Sequence, residues 1–338
     1  MGVPGGFSMN NKAFSLKSLE LDCARQTEAI VEVLREQVLK RFKKRGAVVA
    51  LSGGIDSSVV GALCVRAFGK ERVLGLLMPE RDSSAETLRL SSLVSDHLEV
   101  PTVLEDISHI LDVVGCYRRR DEAIRSVAPE YGPGFKCKIV LPGVCEDERY
   151  RIFSLVVQSP EGVQAKARLT PSAYLGIVAA TNFKQRTRKM LEYYHADRLN
   201  YAATGTPNRQ EYDQGFFVKL GDGAADIKPI AHLYKTQVYQ MAQYLGIPEE
   251  IRTRPPTTDT YSMSQSQEEF YFSLPYEKMD LCLYGKNHGI ALGEVAAAAG
   301  LTEDQVIRVY QDIDAKRKAT RYLHTPPVLV EKVEEIAL

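Results

Sequence analysis

A surplus of either charge, paired cysteines, long apolar runs and internal repeats are all missing from this chain. Lysine plus arginine and aspartate plus glutamate both number 43 in 338 residues. The global basic excess of a nucleic-acid binder is therefore missing, and no nucleic-acid partner is expected. The six cysteines, Cys23, Cys64, Cys116, Cys137, Cys145 and Cys282, form no CxxC pair. That excludes a disulfide framework and the usual zinc spacing, and it points to reduced thiols in a cytoplasmic protein. No apolar run reaches the roughly 18 residues of a membrane span. The opening MGVPGGFSMNNK has no signal-peptide core, and residues 1–14 read as a flexible tail. No HxxxH pair and no Cys-His or Ser-His nucleophile pattern is evident.

What remains has the composition of a soluble globular chain, 44% hydrophobic and 25% charged, with ample capacity for a core. Leu16, Leu19, Ile30, Val31, Leu34 and Val38 recur at helical spacing, predicting one long amphipathic helix from Ser15 to Arg45. AVVAL, RVLGLLM and VPTVLEDI read as strands separated by helical segments, the second helix opened by a capping box of Ser83 and Glu86. That alternation predicts an α/β fold with a doubly wound, mostly parallel sheet covered on both faces. It breaks between about 117 and 180, where KCKIVLPG and a second run around Pro-Glu-Gly look like β segments of an insertion. A helix from about Phe183 to Ala196, the strand LNYAAT, a helix from about Tyr234 to Leu245 and a mainly helical remainder follow.

The chemistry is concentrated in VVALSGGIDSS, residues 48–58. A strand that enters a helix through Ser-Gly-Gly presents free N–H groups at the positive end of the helix dipole, which is a phosphate site. Glycines permit close approach of the backbone, and the hydroxyls add donors. Asp56 would repel phosphate alone; it makes sense where Mg²⁺ bridges it to phosphates. No Lys-Ser/Thr follows the glycines, so this is not a Walker loop.

This stretch resembles the pyrophosphate loop of N-type ATP pyrophosphatases. Further on stand Lys184-x-Arg186-x-Arg188, Gly205-Thr206, Glu211, Gly215-Phe-Phe-x-Lys219-x-Gly-Asp222, Asp226-x-x-Pro229, Leu233-x-Lys235 and Pro256-Thr257-Thr258-Asp259. In that order and spacing they resemble the ammonia-dependent NAD synthetase family. The resemblance implies an adenine nucleotide alpha hydrolase-like (Rossmann-like) domain over 15–338. It implies Ser52, Gly53, Gly54, Asp56, Ser57, Thr206, Lys235 and Thr257 for ATP, and Asp56 and Glu211 for the metal. Arg186, Lys219 and Asp226 would hold the acid substrate, deamido-NAD. Lys219 and Lys235, with Asp56, would be catalytic, neutralising charge on departing pyrophosphate. Arg186 and Arg188 lie two apart, so on a helix only one readily enters the site.

The implied reaction is adenylation of a carboxylate by ATP, then displacement of AMP by ammonia to give an amide. Only about 45 residues precede the loop, so free ammonia or a separate glutaminase subunit is expected, together with a homodimer. Arg321 and Tyr322 stand where the family carries a basic pair. With the insertion, they leave open a paralogous ligase acting on a different carboxylic acid. A catalytically idle nucleotide-binding protein is a further alternative, opposed by Asp56, Glu211, Lys219 and Lys235 occurring together.

Overall fold

The computed structural model describes residues 13–141, 153–255, 261–263 and 265–336. The tail expected over 1–14 falls outside these but for its last two residues, of which Phe14 stacks on Tyr284. Thr257 and Cys145 also lie outside the described residues. The helix expected from Ser15 to Arg45 is divided into a 3-10 turn at Leu16–Leu19, helix α1 (Cys23–Leu34) and a π-helical stretch at Arg35–Arg41. The division has a local cause. The Asp22 side chain accepts the Arg25 N–H at 3.0 Å and starts a fresh helix there.

Strand β1 (Ala47–Ala50) leads through the Ser-Gly-Gly loop into α2 (Ile55–Phe68), and β2 (Val73–Leu77) is followed by α3 (Ala85–Leu98) and β3 (Thr102–Leu104). Ser84, one residue later than expected, caps α3 by accepting the Thr87 N–H at 3.1 Å. Ser83 instead accepts the Glu80 N–H at 3.1 Å. Helices α4 (Ser108–Val113) and α5 (Cys116–Arg125) precede a three-stranded antiparallel sheet of β4 (Lys136–Val140), β5 (Ser154–Gln158) and β6 (Gln164–Arg168). The β segments read from the sequence are thus present. The helix after them starts earlier than the sequence indicates: α6 runs Pro171–Leu199. Thr170 accepts the Ala173 N–H at 3.2 Å and Pro171 occupies the first turn, a strong start signal ahead of the expected start at about Phe183.

Among the described residues the main sheet has the order β3-β2-β1-β7, all parallel, where β7 is Ala202–Ala203. Period-two alternation covers both faces. Ala47 and Val49 of β1 pack with α1 and α2, while Val48 between them packs with Leu111, Cys116 and Ala196 of α4, α5 and α6. Each valine or leucine side chain removed from water in this way contributes about 1.5–3 kcal/mol. The doubly wound α/β reading therefore holds. Beyond β7 come α7 (Arg209–Gln214), α8 (Lys235–Tyr244) and α9 (Glu249–Thr253), then α10 (Tyr276–His288), α11 (Leu292–Ala299) and α12 (Glu303–Thr320), which share a separate core. No described helix is long and apolar enough to cross a membrane.

Strand order locates the site. The chain winds outward from β1 to β3, then returns across the sheet to place β7 on the other side of β1. The switch point lies between the carboxyl ends of β1 and β7, the crevice where such sheets bind ligands. The 52–57 loop leaves β1 there, and Gly205-Thr206 follows β7.

Candidate active site

A cavity of about 440 Å³ opens at this switch point, within the range of small-molecule sites. Ser52, Gly53, Gly54, Asp56, Ser57, Thr206, Glu211 and Lys235 all line it. Gly53 has φ +72°, and a Cβ there would lie 2.7 Å from Leu90 Cβ and 2.9 Å from Ser91 N. Only glycine fits between the loop and α3. Ser52 and Ser57 close the loop through their hydroxyls at 3.1 Å. Gly54, at the cap position of α2, offers no side chain to the first-turn N–H groups, which leaves donors for an anion.

Opposite charges converge beside the loop. Asp56 Oδ1 accepts from Asn208 Nδ2 at 3.0 Å, and its Oδ2 accepts from Lys235 Nζ. Asn208 and Glu211 form the capping box of α7: the Asn208 N–H donates to Glu211 Oε2 at 3.0 Å and the Glu211 N–H to Asn208 Oδ1 at 3.2 Å. Gln267 Nε2 donates to Glu211 Oε1 at 3.0 Å. Burial, and then the neighbouring Asp56, push the Glu211 carboxyl up to about 8. Burial alone would lower the Lys235 ammonium; Asp56 and Glu211 outweigh it and hold it above its ordinary value.

Lys235 is only 2% exposed and is aimed by a residue on another helix. Asp280 of α10 accepts the Thr236 N–H at 2.7 Å, the Lys235 N–H at 3.3 Å and Gln210 Nε2 at 2.7 Å. It thereby caps α8, whose first residue is Lys235. Asp280→Ala would orphan these buried donors and is expected to lower the unfolding free energy by about 2–3 kcal/mol, measured by urea titration. Nothing in the sequence singles Asp280 out: it is one acid in an otherwise ordinary helical pattern.

A second charged group borders the cavity. Lys184 of α6 reaches Glu80 Oε1 at 2.8 Å and Asp82 Oδ2 at 2.9 Å, and Arg120 Nη1 reaches the same Asp82 oxygen at 2.5 Å. Tyr117 donates to Glu80 Oε2 at 2.8 Å. Burial acts to raise the Asp82 carboxyl, but Lys184 and Arg120 prevail and hold it below its ordinary range. The only sign of this group in the sequence is Lys184, the first position of Lys-x-Arg-x-Arg.

The residues expected to hold the acid substrate, Arg186, Lys219 and Asp226, stand apart from the cavity wall. Of the two arginines on α6, Arg188 lines the cavity, with Nε 3.1 Å from the Met78 carbonyl, while Arg186 turns to the Lys219 carbonyl at 3.3 Å. Lys219 Nζ donates to the carbonyls of Tyr322 at 2.8 Å and Thr325 at 3.0 Å, so it ties down the segment that carries Arg321 and Tyr322. Asp226 accepts the Ala203 N–H at 2.8 Å and the Tyr193 hydroxyl at 3.3 Å. Among the described residues no group of three or more His, Cys, Asp or Glu side chains could hold a metal by itself.

A protein-family model described as NAD synthase matches residues 26–128 and 157–322 and passes over the segment between them. A Mesorhizobium japonicum protein named NH(3)-dependent NAD(+) synthetase is 63% identical over 317 residues, covering 94% of this chain and 99% of its own. A protein of the same name from Rhizobium meliloti is 62% identical, covering 97% of this chain and 98% of its own. Among solved structures, an NMN synthetase from Francisella tularensis aligns with a TM-score of 0.64 at 19% identity, over 92% of this chain and 99% of its own. An NH3-dependent NAD synthetase from Campylobacter jejuni, solved with a nitrate ion, aligns with a TM-score of 0.60 at 22% identity, over 92% and 100%. At these identities the two structures share the fold.

Proposed function

This chain belongs to the NAD synthase family, and from that premise we infer that it converts deamido-NAD to NAD, using ATP and ammonia. The observation that carries this reading onto particular residues is the convergence of Asp56, Glu211 and Lys235 beside the phosphate loop at the sheet's switch point. Relatives at 62 and 63% identity over nearly their whole length share one activity name, which leaves the paralogous ligase and the idle binder without support.

In the proposed mechanism the 52–57 loop and the α2 N-terminus hold the ATP phosphates, with Thr206 and Thr257 contributing to the nucleotide. The substrate carboxylate attacks the α-phosphate and pyrophosphate leaves with the broken P–O bond. Ammonia then attacks the acyl carbon, AMP leaves, and the surplus proton passes to solvent. Lys235, dry and fully charged, stabilises negative charge gathering on pyrophosphate without having to reorganise. No covalent bond to the protein is needed, and the contribution of these side chains is positioning and charge.

Asp56 and Glu211 fit a magnesium ion: they are hard oxygen donors, and the Glu211 carboxyl is raised first by burial and then by the neighbouring Asp56, both of which a bound cation would offset. Two carboxylates plus substrate phosphates are a usual Mg²⁺ donor set. When bound, the ion would supply charge neutralisation to the phosphates. Arg186, Lys219 and Asp226 are proposed for the part of the dinucleotide that extends beyond the cavity. A homodimer is part of the same proposal, supported by Leu175, Met190 and Tyr194 of α6, which are 64%, 56% and 60% exposed. Ammonia is proposed to arrive free or from a separate glutaminase.

Incubating the protein with MgATP, ammonium and deamido-NAD is expected to yield NAD, AMP and pyrophosphate by mass spectrometry, and no NAD with Asp56→Ala. Failure of the wild type to form NAD while it still binds MgATP would overturn the reading.

A further inference from the structure

The cavity lining contains two apolar regions of different chemistry. Leu77 and Met78, at the carboxyl end of β2, and Leu88 of α3 form an aliphatic strip. β2 is hydrogen-bonded alongside β1, whose end is the phosphate loop, so this strip adjoins the place where an adenosine attached to those phosphates must go. The second region is aromatic: Phe153, Tyr174, Tyr261 and Phe270, with Phe216 packed edge-to-face on Phe270 at 5.8 Å and Phe217 and Tyr271 further along the lining.

The inserted sheet assembles this aromatic group. Phe153, at the entrance to β5, stacks on Tyr174 of α6 with centroids 4.5 Å apart and planes at 18°. The edge of β4 holds the segment that carries the other two rings. The Cys137 N–H donates to Ser262 Oγ at 2.9 Å, the Met263 N–H to the Cys137 carbonyl at 3.1 Å, and Gln265 Nε2 to the Ile139 carbonyl at 2.6 Å. Tyr261 is buried in the sheet's own core with Cys137, Ile139 and Leu155, and packs edge-to-face on Phe270 at 5.4 Å. The NAD synthase family model passes over 129–156, the segment containing β4 and Phe153. Phe153 is therefore supplied by a part of the chain that the family model does not match, whereas Tyr174, Tyr261 and Phe270 lie within its matched residues.

Its position bears on its occupant. Gln267, which touches Glu211, directly precedes the helical stretch Glu268–Phe272 and lies three residues before Phe270. The wall thus begins about one turn from a carboxylate of the reaction centre. Under the reading above, the group that must sit beside the reacting phosphate is the acid whose carboxylate attacks it. In deamido-NAD that carboxylate is carried on a pyridine ring whose nitrogen is bonded to ribose, so the ring is a flat cation, whereas adenine is neutral. Electron-rich ring faces attract such a cation where water is excluded.

We propose that Phe153, Tyr174, Tyr261 and Phe270 form the subsite for the pyridinium ring of the acid substrate, with Phe153 the specificity-determining face supplied by the insertion. This rests on the reading of the acid as deamido-NAD. Dissociation constants measured by calorimetry, with deamido-NAD and with ATP separately so that no turnover occurs, test it in Phe153→Leu, Phe153→Ala and Phe153→Tyr. Leucine keeps apolar bulk and removes the π face. It is expected to weaken deamido-NAD binding about five- to tenfold, alanine tenfold or more and tyrosine less than twofold, with ATP binding within twofold throughout. Leucine binding deamido-NAD as the wild type does, or ATP weakening in parallel, would overturn the proposal. Should alanine fail to fold, the leucine and tyrosine comparison decides alone. Wild-type NAD formation is scored separately by mass spectrometry. Its absence would remove the reaction reading, while unchanged binding in a competent enzyme would remove only this subsite.

Discussion

Lys235→Met is expected to lower kcat for NAD formation by about 10²–10³-fold, the range for losing one preorganised charge-stabilising donor. Methionine approximates the lysine stem, so the buried space is kept and the effect isolates the ammonium. Lys235 is 2% exposed and paired with Asp56. Removing its charge leaves Asp56 and Glu211 side by side, and the metal-free protein should lose about 2–4 kcal/mol of stability. Added Mg²⁺ should recover part of that loss, because it restores positive charge to the same two acids, but it should not restore kcat. Steady-state rates, with urea titrations with and without Mg²⁺, separate the two effects. A kcat within tenfold of wild type would remove Lys235 from the machinery.

Glu211→Gln should do the reverse to stability and the same to activity. Glutamine can keep the capping-box contact to the Asn208 N–H, so α7 is retained, while one buried charge is removed. In the folded protein the Glu211 carboxyl is raised to about 8 from an ordinary 4.5. Its favourable contribution is fully present below pH 4.5 and is lost progressively as pH rises towards 8, because the unfolded chain ionises first. The variant has no such loss. Its advantage over wild type, measured in EDTA, should be near zero at pH 4.5, grow across the interval to about 8 and then level off at about 2–4 kcal/mol. Magnesium should abolish that advantage by binding the wild-type pair. NAD formation should fall by about 10²-fold or more, the cost of losing a carboxylate that helps to neutralise phosphate charge. A pH-independent stability difference would show that Glu211 is not the titrating group.

How much of this was legible in the sequence follows the range of the interactions involved. The Ser-Gly-Gly loop is a local device: strand, positive-φ glycine and helix entry are contiguous, and Gly53 meets α3 as its motif requires. Glu211 was legible as an acid after Gly-Thr, and its partner Asn208 lies within the same turn. Misreadings arose where local signals competed. Two adjacent serines each offered a cap, and Ser84 rather than Ser83 took the helix. A Thr-Pro pair started α6 twelve residues before the point where the polar pattern made a helix obvious.

The sequence by itself determined the alternation of strands and helices, hence the parallel sheet, and the order of motifs that places this chain in its family. Periodicity and loop chemistry act over a few residues and are written into neighbouring positions. Only the tertiary structure decided that Asp280 aims Lys235 from α10, that Arg188 rather than Arg186 faces the cavity, and that the inserted sheet carries an aromatic wall to the reaction centre. Those contacts join residues far apart along the chain. They depend on the winding that puts β7 beside β1 and on which face of a long helix turns inward, and neither is encoded in any single stretch.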